Sequence, residues 1–304
     1  MAGKGGSGGA VLLGLVVALV AFAFYKNPDW LSGLTQNHDN PPYTGSGGNG
    51  RYVALGDSYT AAPNVGDSGG GPSGCHRSAE NYPSDVARAL RIGQFADASC
   101  SGATTADMFS PQQFSGENNP PQLDSLNSAT TLVTVGIGGN DIGFISLVRG
   151  CVTVRRDGSG CRDENSAGGT DRLAARIDAT AGKVAHVLSA ISARAPNAQV
   201  LVVGYPTILP ASGPGCWPFL PYGAPDVAYL RNVTNNLNGM LAEQASAAGA
   251  TFVDTAAASR GHDVCAASKD RWVEGLVPTS AAAPMHPNAD GEKATARAVL
   301  AAVG

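Results

Sequence analysis

Ser58 and His286 are the two side chains whose type and surroundings best suit them to act together. Ser58 stands in Gly56-Asp57-Ser58-Tyr59, directly after the short apolar run Tyr52-Val53-Ala54-Leu55. His286 stands near the C-terminal end, in Met285-His286-Pro287-Asn288. A serine at the abrupt end of a strand projects its hydroxyl from a tight turn, and a histidine can take the hydroxyl proton. The pair reads as a hydrolase nucleophile and its general base.

A second serine competes for the role. Gly66-Asp67-Ser68-Gly69-Gly70 fits both a Gly-x-Ser-x-Gly elbow and a trypsin-like Gly-Asp-Ser-Gly-Gly. An elbow needs a strand before the serine and a helix after it. Residues 61–74 are dominated by Gly, Pro, Ser, Asp and Asn, which read as loop. A trypsin-like order also needs histidine and aspartate upstream, and the only upstream histidine is His38, in a polar, Pro-rich stretch. Ser68 therefore reads as a solvated loop serine.

Positioning Ser58 and His286 requires alternating strands and helices. Strands are predicted over 51–55, 95–100, 130–135, 197–203 and 250–253, where β-branched and apolar residues concentrate. Helices are predicted over 83–92, 171–194, 225–248 and 288–303. In the second of these Leu173, Ile177, Val184, Val187, Leu188 and Ile191 recur at helical spacing. This alternation implies a parallel sheet covered on both faces, a three-layer α/β/α sandwich, with its site beyond the carboxyl ends of the strands. Ser58 follows the first strand, and Gly136-Ile137-Gly138-Gly139-Asn140-Asp141 follows the third, so both fall on one rim. That second loop lacks bulk and carries an uncharged amide donor in Asn140. Cys100-Ser101-Gly102, after the second strand, offers the Gly102 N–H. Such donors suit the oxyanion that forms when an ester carbonyl is attacked. A dinucleotide-binding turn is disfavoured because Asp141 stands where its third glycine belongs.

The 304 residues carry few charges and a net charge of −4, which gives no reason to expect a nucleic-acid partner. Lys and Arg do not cluster, so no electrostatic membrane patch is expected. Residues 1–25 read as a signal peptide or a retained signal anchor. Lys4 precedes the apolar run Ala10 to Phe24, which is shorter than the ~20 residues of a comfortable membrane span. That segment makes membrane association an open expectation. Residues 26–50 read as a flexible linker and 51–304 as the catalytic domain. Six cysteines, at 75, 100, 151, 161, 216 and 265, contain no Cys-x-x-Cys pair. In an exported chain they imply three disulfides and leave the pairing open.

Taken together, these blocks resemble the SGNH hydrolases, also called GDSL-type lipases and esterases. Gly56-Asp57-Ser58-Tyr59 is similar to the family's first block, with Ser58 as nucleophile and its N–H in the oxyanion hole. Cys100-Ser101-Gly102 is similar to the second, Gly138-Gly139-Asn140-Asp141 to the third, and Met285-His286-Pro287-Asn288 to the last. The resemblance spans Arg51 to Gly304. It implies a flavodoxin-like sheet, an oxyanion hole of Ser58, Gly102 and Asn140, a small-molecule or lipid ester substrate, and no metal or cofactor. The cysteine spacing resembles the secreted actinobacterial branch, which implies the sequential pairs Cys75–Cys100, Cys151–Cys161 and Cys216–Cys265.

The chain departs from the family at one position. The family's acid lies three residues before the histidine, and Ala283 stands there. The resemblance then implies a Ser58–His286 dyad whose imidazole is oriented by the main-chain carbonyl of Ala283 or Pro284. Asp254, Asp263 and Asp290 are the conceivable acidic substitutes. Trp217, Phe219 and Tyr222 are candidates either for an acyl-chain wall or for a cover over the domain's own core. A cell-envelope acyltransferase or carbohydrate deacetylase using the same site is an alternative reading, as is an inactive envelope-binding protein.

Overall fold

The computed structural model describes residues 50–303; the expected leader and nearly all of the expected linker lie outside them. Five strands form one sheet: β1 (Arg51–Gly56), β2 (Gln94–Asp97), β3 (Leu132–Gly136), β4 (Gln199–Val203) and β5 (Thr251–Val253). Every neighbouring pair is parallel, and the spatial order is β2-β1-β3-β4-β5. That is the flavodoxin-like order, with the switch point between β1 and β3.

The sequence of β1 explains why both faces must be covered. Tyr52 and Ala54 face one way, Val53 and Leu55 the other, and all four are fully buried. On the first face they pack with Tyr82, Val86, Ala296 and Val299 from α1 (Tyr82–Ala89) and α4 (Ala289–Val303). On the second they meet Ile177, Val184, Val187, Leu230 and Leu237 from α2 (Arg172–Arg194) and α3 (Ala224–Ala247). Three layers result. Between β2 and β3 the chain makes only 3-10 turns and a two-residue hairpin, and Met108, Leu123 and Leu126 fill the core along this crossover.

The helix starts follow local chemistry. Asn81 accepts from the Ser84 N–H and caps α1; Asp171 accepts from Leu173 and Ala174 and caps α2. Asn288 accepts from the Asp290 and Gly291 amides at the start of α4. β2 ends as a regular strand at Asp97, three residues short of the predicted end, yet the Ala98 and Cys100 N–H groups still donate to the Ala54 and Gly56 carbonyls of β1 before the chain turns at Gly102, whose φ is +80°. Helix α1 stops at Ala89, where 83–92 was predicted, and Arg91 beyond it has φ +51°.

Disulfides join Cys75 to Cys100, Cys151 to Cys161 and Cys216 to Cys265, the sequential pairing. Closing the first loop removes denatured-chain entropy worth about 3.5 kcal/mol in the chain-entropy picture. It also fixes the segment that leads into Gly102, since the Ser101 N–H donates to the Cys75 carbonyl at 3.0 Å.

Both ends of the described chain lie at the amino edge of the sheet. Arg51 opens β1, its N–H donating to Thr131 Oγ1. At the other end, Gln199, which opens β4, donates its side-chain amide to the Ala302 carbonyl. Among the described residues no helix is long and apolar enough to cross a membrane.

Candidate active site

Ser58 sits where β1 ends and a one-turn helix, Ser58–Ala61, begins. Asp57 caps that turn by accepting from the Tyr59 N–H at 2.9 Å, which turns the chain sharply and leaves Ser58 at the carboxyl rim. Gly56 is required by contact: a Cβ there would lie 2.2 Å from Thr60 Oγ1 and 2.8 Å from the Gly136 carbonyl. The Gln122 side chain grips the same glycine twice, accepting from its N–H at 2.8 Å and donating to its carbonyl at 2.9 Å.

His286 arrives from the long segment between β5 and α4. Its Nε2 lies 2.8 Å from Ser58 Oγ and its Nδ1 lies 2.8 Å from the Pro284 carbonyl. A carbonyl can only accept, so Nδ1 carries the proton and Nε2 offers its lone pair to the serine hydroxyl. Of the two candidate carbonyls only that of Pro284 meets the ring. The Ala283 carbonyl accepts the His286 backbone N–H at 3.1 Å instead, closing the turn in which Met285 has φ +64°.

With both ring nitrogens engaged, no carboxylate has a place on this imidazole. Asp254 caps a short helix through Ala257, Asp263 accepts from the Cys265 N–H, and Asp290 sits in the first turn of α4. Burial, more than any charge, pulls the His286 pKa down to about 4; the charge of Arg149 adds to the fall, and the Pro284 hydrogen bond opposes it. The Tyr59 ring stacks on the imidazole with centroids 4.7 Å apart, and its hydroxyl donates to the Met285 carbonyl at 2.7 Å. An aromatic face in this position favours a cationic ring.

The two donor loops are locked to each other. Asn140 donates one side-chain N–H to the Ala103 carbonyl at 2.9 Å, which leaves its second N–H free to point elsewhere. Asp141 accepts from the Thr105 hydroxyl at 2.6 Å and from the Thr105 N–H at 2.9 Å. The Ser58 and Gly102 amides have no acceptor among the described residues.

Two groups at this site went unrecognised in the sequence. The Asp57 carboxylate accepts from the Tyr205 hydroxyl at 2.5 Å, and that hydroxyl accepts from the Gly139 N–H at 2.7 Å. The chain Asp57–Tyr205–Gly139 thus ties the serine turn to the Asn140 loop. Burial raises the Asp57 pKa to about 7, against the hydrogen bonds from Tyr205 and Tyr59, which lower it. Tyr205 follows the carboxyl end of β4, and that strand-end position was its only signal in the sequence.

A pocket opens beside Ser58 and Asn140, walled by Phe144, Ile145, Ile208 and Leu237. Trp217, Phe219 and Tyr222 do not line this pocket. Tyr222 is buried with its hydroxyl on the Val148 carbonyl, Trp217 is half-buried, and Phe219 is 90 % exposed. Ser68 is exposed on a loop that bridges to Ser78. His262 lies flat on Trp272 at 3.7 Å, and the neighbouring Cys265 is held in its disulfide. Among the described residues no cluster of three His, Cys, Asp or Glu side chains is placed to hold a metal ion.

Residues 54–294 match the GDSL-like Lipase/Acylhydrolase family. The chain is 39% identical to Lipase 2 of Streptomyces coelicolor over 259 residues, covering 83% of this chain and 85% of that protein. Among solved structures it resembles a phospholipase A1 from Streptomyces albidoflavus, with a TM-score of 0.71 and 31% identity over 84% of this chain and all of the other. The extracellular lipase of Streptomyces rimosus gives a TM-score of 0.64 and 29% identity over the same shares. With the motif blocks, the sheet order and these likenesses in agreement, the chain belongs to the GDSL-like lipase/acylhydrolase family.

Proposed function

We propose that this carboxylic ester hydrolase works through an acyl-enzyme on Ser58, with His286 as general base and no acidic third member. The observation that carries the reading is the contact between Ser58 Oγ and His286 Nε2 at 2.8 Å, with the opposite nitrogen held by a neutral carbonyl. Ser58 Oγ attacks the acyl carbonyl and its proton passes to Nε2. His286 then gives that proton to the departing alkoxide. Water repeats the sequence in reverse roles: it loses a proton to Nε2, attacks the acyl-enzyme, and the proton returns to Ser58 Oγ.

The oxyanion is met by the Ser58 and Gly102 N–H groups and the free N–H of Asn140. Each such donor is typically worth about 10²–10³ in kcat. The Tyr59 ring and the Pro284 carbonyl share the task that a carboxylate performs elsewhere, orienting the imidazole and easing its positive charge. The pocket beside Ser58 holds only ≈ 10 Å³, but its walls at Phe144, Ile145, Ile208 and Leu237 give this side of the site an apolar lining, which suits an ester better than a charged substrate. Three disulfides and the apolar segment Ala10 to Phe24 support export, with residues 1–25 as leader or anchor and 26–50 as tether.

Hydrolysis of p-nitrophenyl butyrate tests the mechanism. Ser58→Ala, folded by circular dichroism, is expected to reduce turnover to background. Turnover within about tenfold of the parent would sink it, since loss of a nucleophile of this kind costs far more.

A further inference from the structure

Among the described residues, five large apolar side chains are exposed: Phe109, Val152, Val154, Phe219 and Val277. All five lie in segments that leave the carboxyl ends of β2, β3, β4 and β5, the edge that carries Ser58. None lies on the outer faces of α1–α4, nor in the returns 90–93, 195–198 and 248–250 at the opposite edge. Exposed apolar residues scattered singly need no explanation, and Phe109, stacked on His186 of α2, is one of these; the gathering of three others in one place does.

Two loops bring three of the five together. Thr153 donates its N–H to the Pro221 carbonyl at 2.8 Å, Val152 pairs with Tyr222 across an antiparallel bridge, and the Ala224 N–H donates to the Arg156 carbonyl at 2.9 Å. Both loops are held by disulfides, Cys151–Cys161 and Cys216–Cys265, and buried Tyr222 mounts them on the core. Val152, Val154 and Phe219 stand out from this base, 47 %, 56 % and 90 % exposed.

The patch also adjoins the site. The helix Phe144–Gly150 begins in the pocket wall and hands the chain to Cys151, and the charge of Arg149 near its end reaches His286. Arg149, Arg155 and Arg156 are all exposed here; Arg162 is paired with Asp163, and Asp157 and Glu164 are the other acids between Arg149 and Asn165, so the segment keeps a small positive excess in a chain of net charge −4. The Asp157 carboxylate is 4.0 Å from Arg155, but both side chains are mostly exposed and the pairing neutralises little. A stable protein interface needs about 800 Å² on each partner, more than three side-chain tips supply. Tips of this size with a cationic fringe match a fluid lipid surface, apolar below and anionic at its headgroups.

We propose that this edge is a lipid-docking surface. Phe219, Val152 and Val154 enter the acyl region of an aggregated phospholipid, Arg155 and Arg156 meet its phosphates, and esters reach Ser58 from the lipid phase. The inference rests on the ester-hydrolase reading and adds the physical state of the substrate.

Two substrates separate the claims, both assayed with the full chain: p-nitrophenyl butyrate in solution, and a long-chain fluorogenic ester carried in phosphatidylcholine vesicles with or without phosphatidylglycerol. The apolar segment Ala10 to Phe24 is common to parent and variant, so only their difference is read. Phe219→Ser with Val154→Ser is expected to slow the vesicle reaction about tenfold or more, from the transfer free energy of two apolar side chains, while butyrate turnover stays within about twofold. Arg155→Glu with Arg156→Glu is expected to slow only the phosphatidylglycerol vesicles.

Equal vesicle rates for the parent and the Phe219/Val154 variant overturn the docking surface. A parent that cleaves butyrate but no vesicle ester removes the docking surface and leaves the hydrolase standing. A parent that cleaves neither removes the hydrolase. Light scattering that finds a dimer, returned to a monomer by Phe219→Ser, assigns the patch to a second copy and overturns the lipid partner.

Discussion

As the proposed base, His286 departs from the usual arrangement in that, among the described residues, nothing negative touches it. Its Nδ1 proton goes to the Pro284 carbonyl, and burial leaves the ring neutral down to about pH 4. A base that is unprotonated above that point stays competent through mildly acidic solution. The acid limb of kcat/KM on p-nitrophenyl butyrate is therefore expected near pH 4, whereas a limb centred near the ordinary histidine value of about 6.5 would show that the ring is more solvated than its surroundings imply. Ser58, Gly102, Asn140 and His286 could be singled out as candidates because each sits in a short motif at a strand end or just before a helix. Ala283 showed that the acid was missing. The choice of carbonyl was not legible, because it depends on the left-handed turn at Met285, a residue whose type gives no sign of that conformation.

The strand-end loops act as one assembly. Asp57, Tyr205 and Gly139 join three of them through a single phenol, and Thr105 with Asp141 joins the Gly102 loop to the Asn140 loop. Removing the phenol oxygen leaves a buried carboxylate short of one donor and the Gly139 N–H without an acceptor, a cost of about 1–3 kcal/mol for each buried group. Tyr205→Phe is expected to lower kcat on the soluble ester about tenfold or more, with KM within about twofold, because it shifts the donors and leaves the pocket walls in place. A kcat within about twofold of the parent would show that the bridge does not position the site. The strands and long helices could be read from β-branched runs and helical spacing. The bridge could not, since Asp57 and Tyr205 are 148 residues apart and only the sheet order brings them together.

The layer formed by α1 and α4 contains an acid that the chemistry does not use. Glu292 is fully buried; one oxygen accepts the Tyr82 N–H at 2.8 Å, and the other has no partner among the described residues. Burial raises its pKa well above the ordinary carboxylate value, so the folded chain keeps a proton that the unfolded chain has lost. Stability from this group is present at low pH and declines as pH rises above about 4.5. Asp57 has the same sense, up to about pH 7. His286 runs the other way, its contribution falling away as pH drops from about 6.5 toward 4. Glu292→Gln keeps the acceptor for Tyr82 and cannot ionise. Its melting temperature relative to the parent is expected to gain about 2–4 °C between pH 5 and pH 8, the equivalent of ~1 kcal/mol. A difference that does not change with pH would show that Glu292 ionises freely in the folded chain.

Arg51 opens β1 and α4 ends beside Gln199, so both ends of the domain leave from the pole opposite Ser58. Any attachment made through either end, whether to a resin, a fusion partner or a cell surface, fastens the domain by its inert side. The attachment itself then covers none of the loops around Ser58, and a flexible tether leaves that face free to turn toward solution or toward a lipid surface.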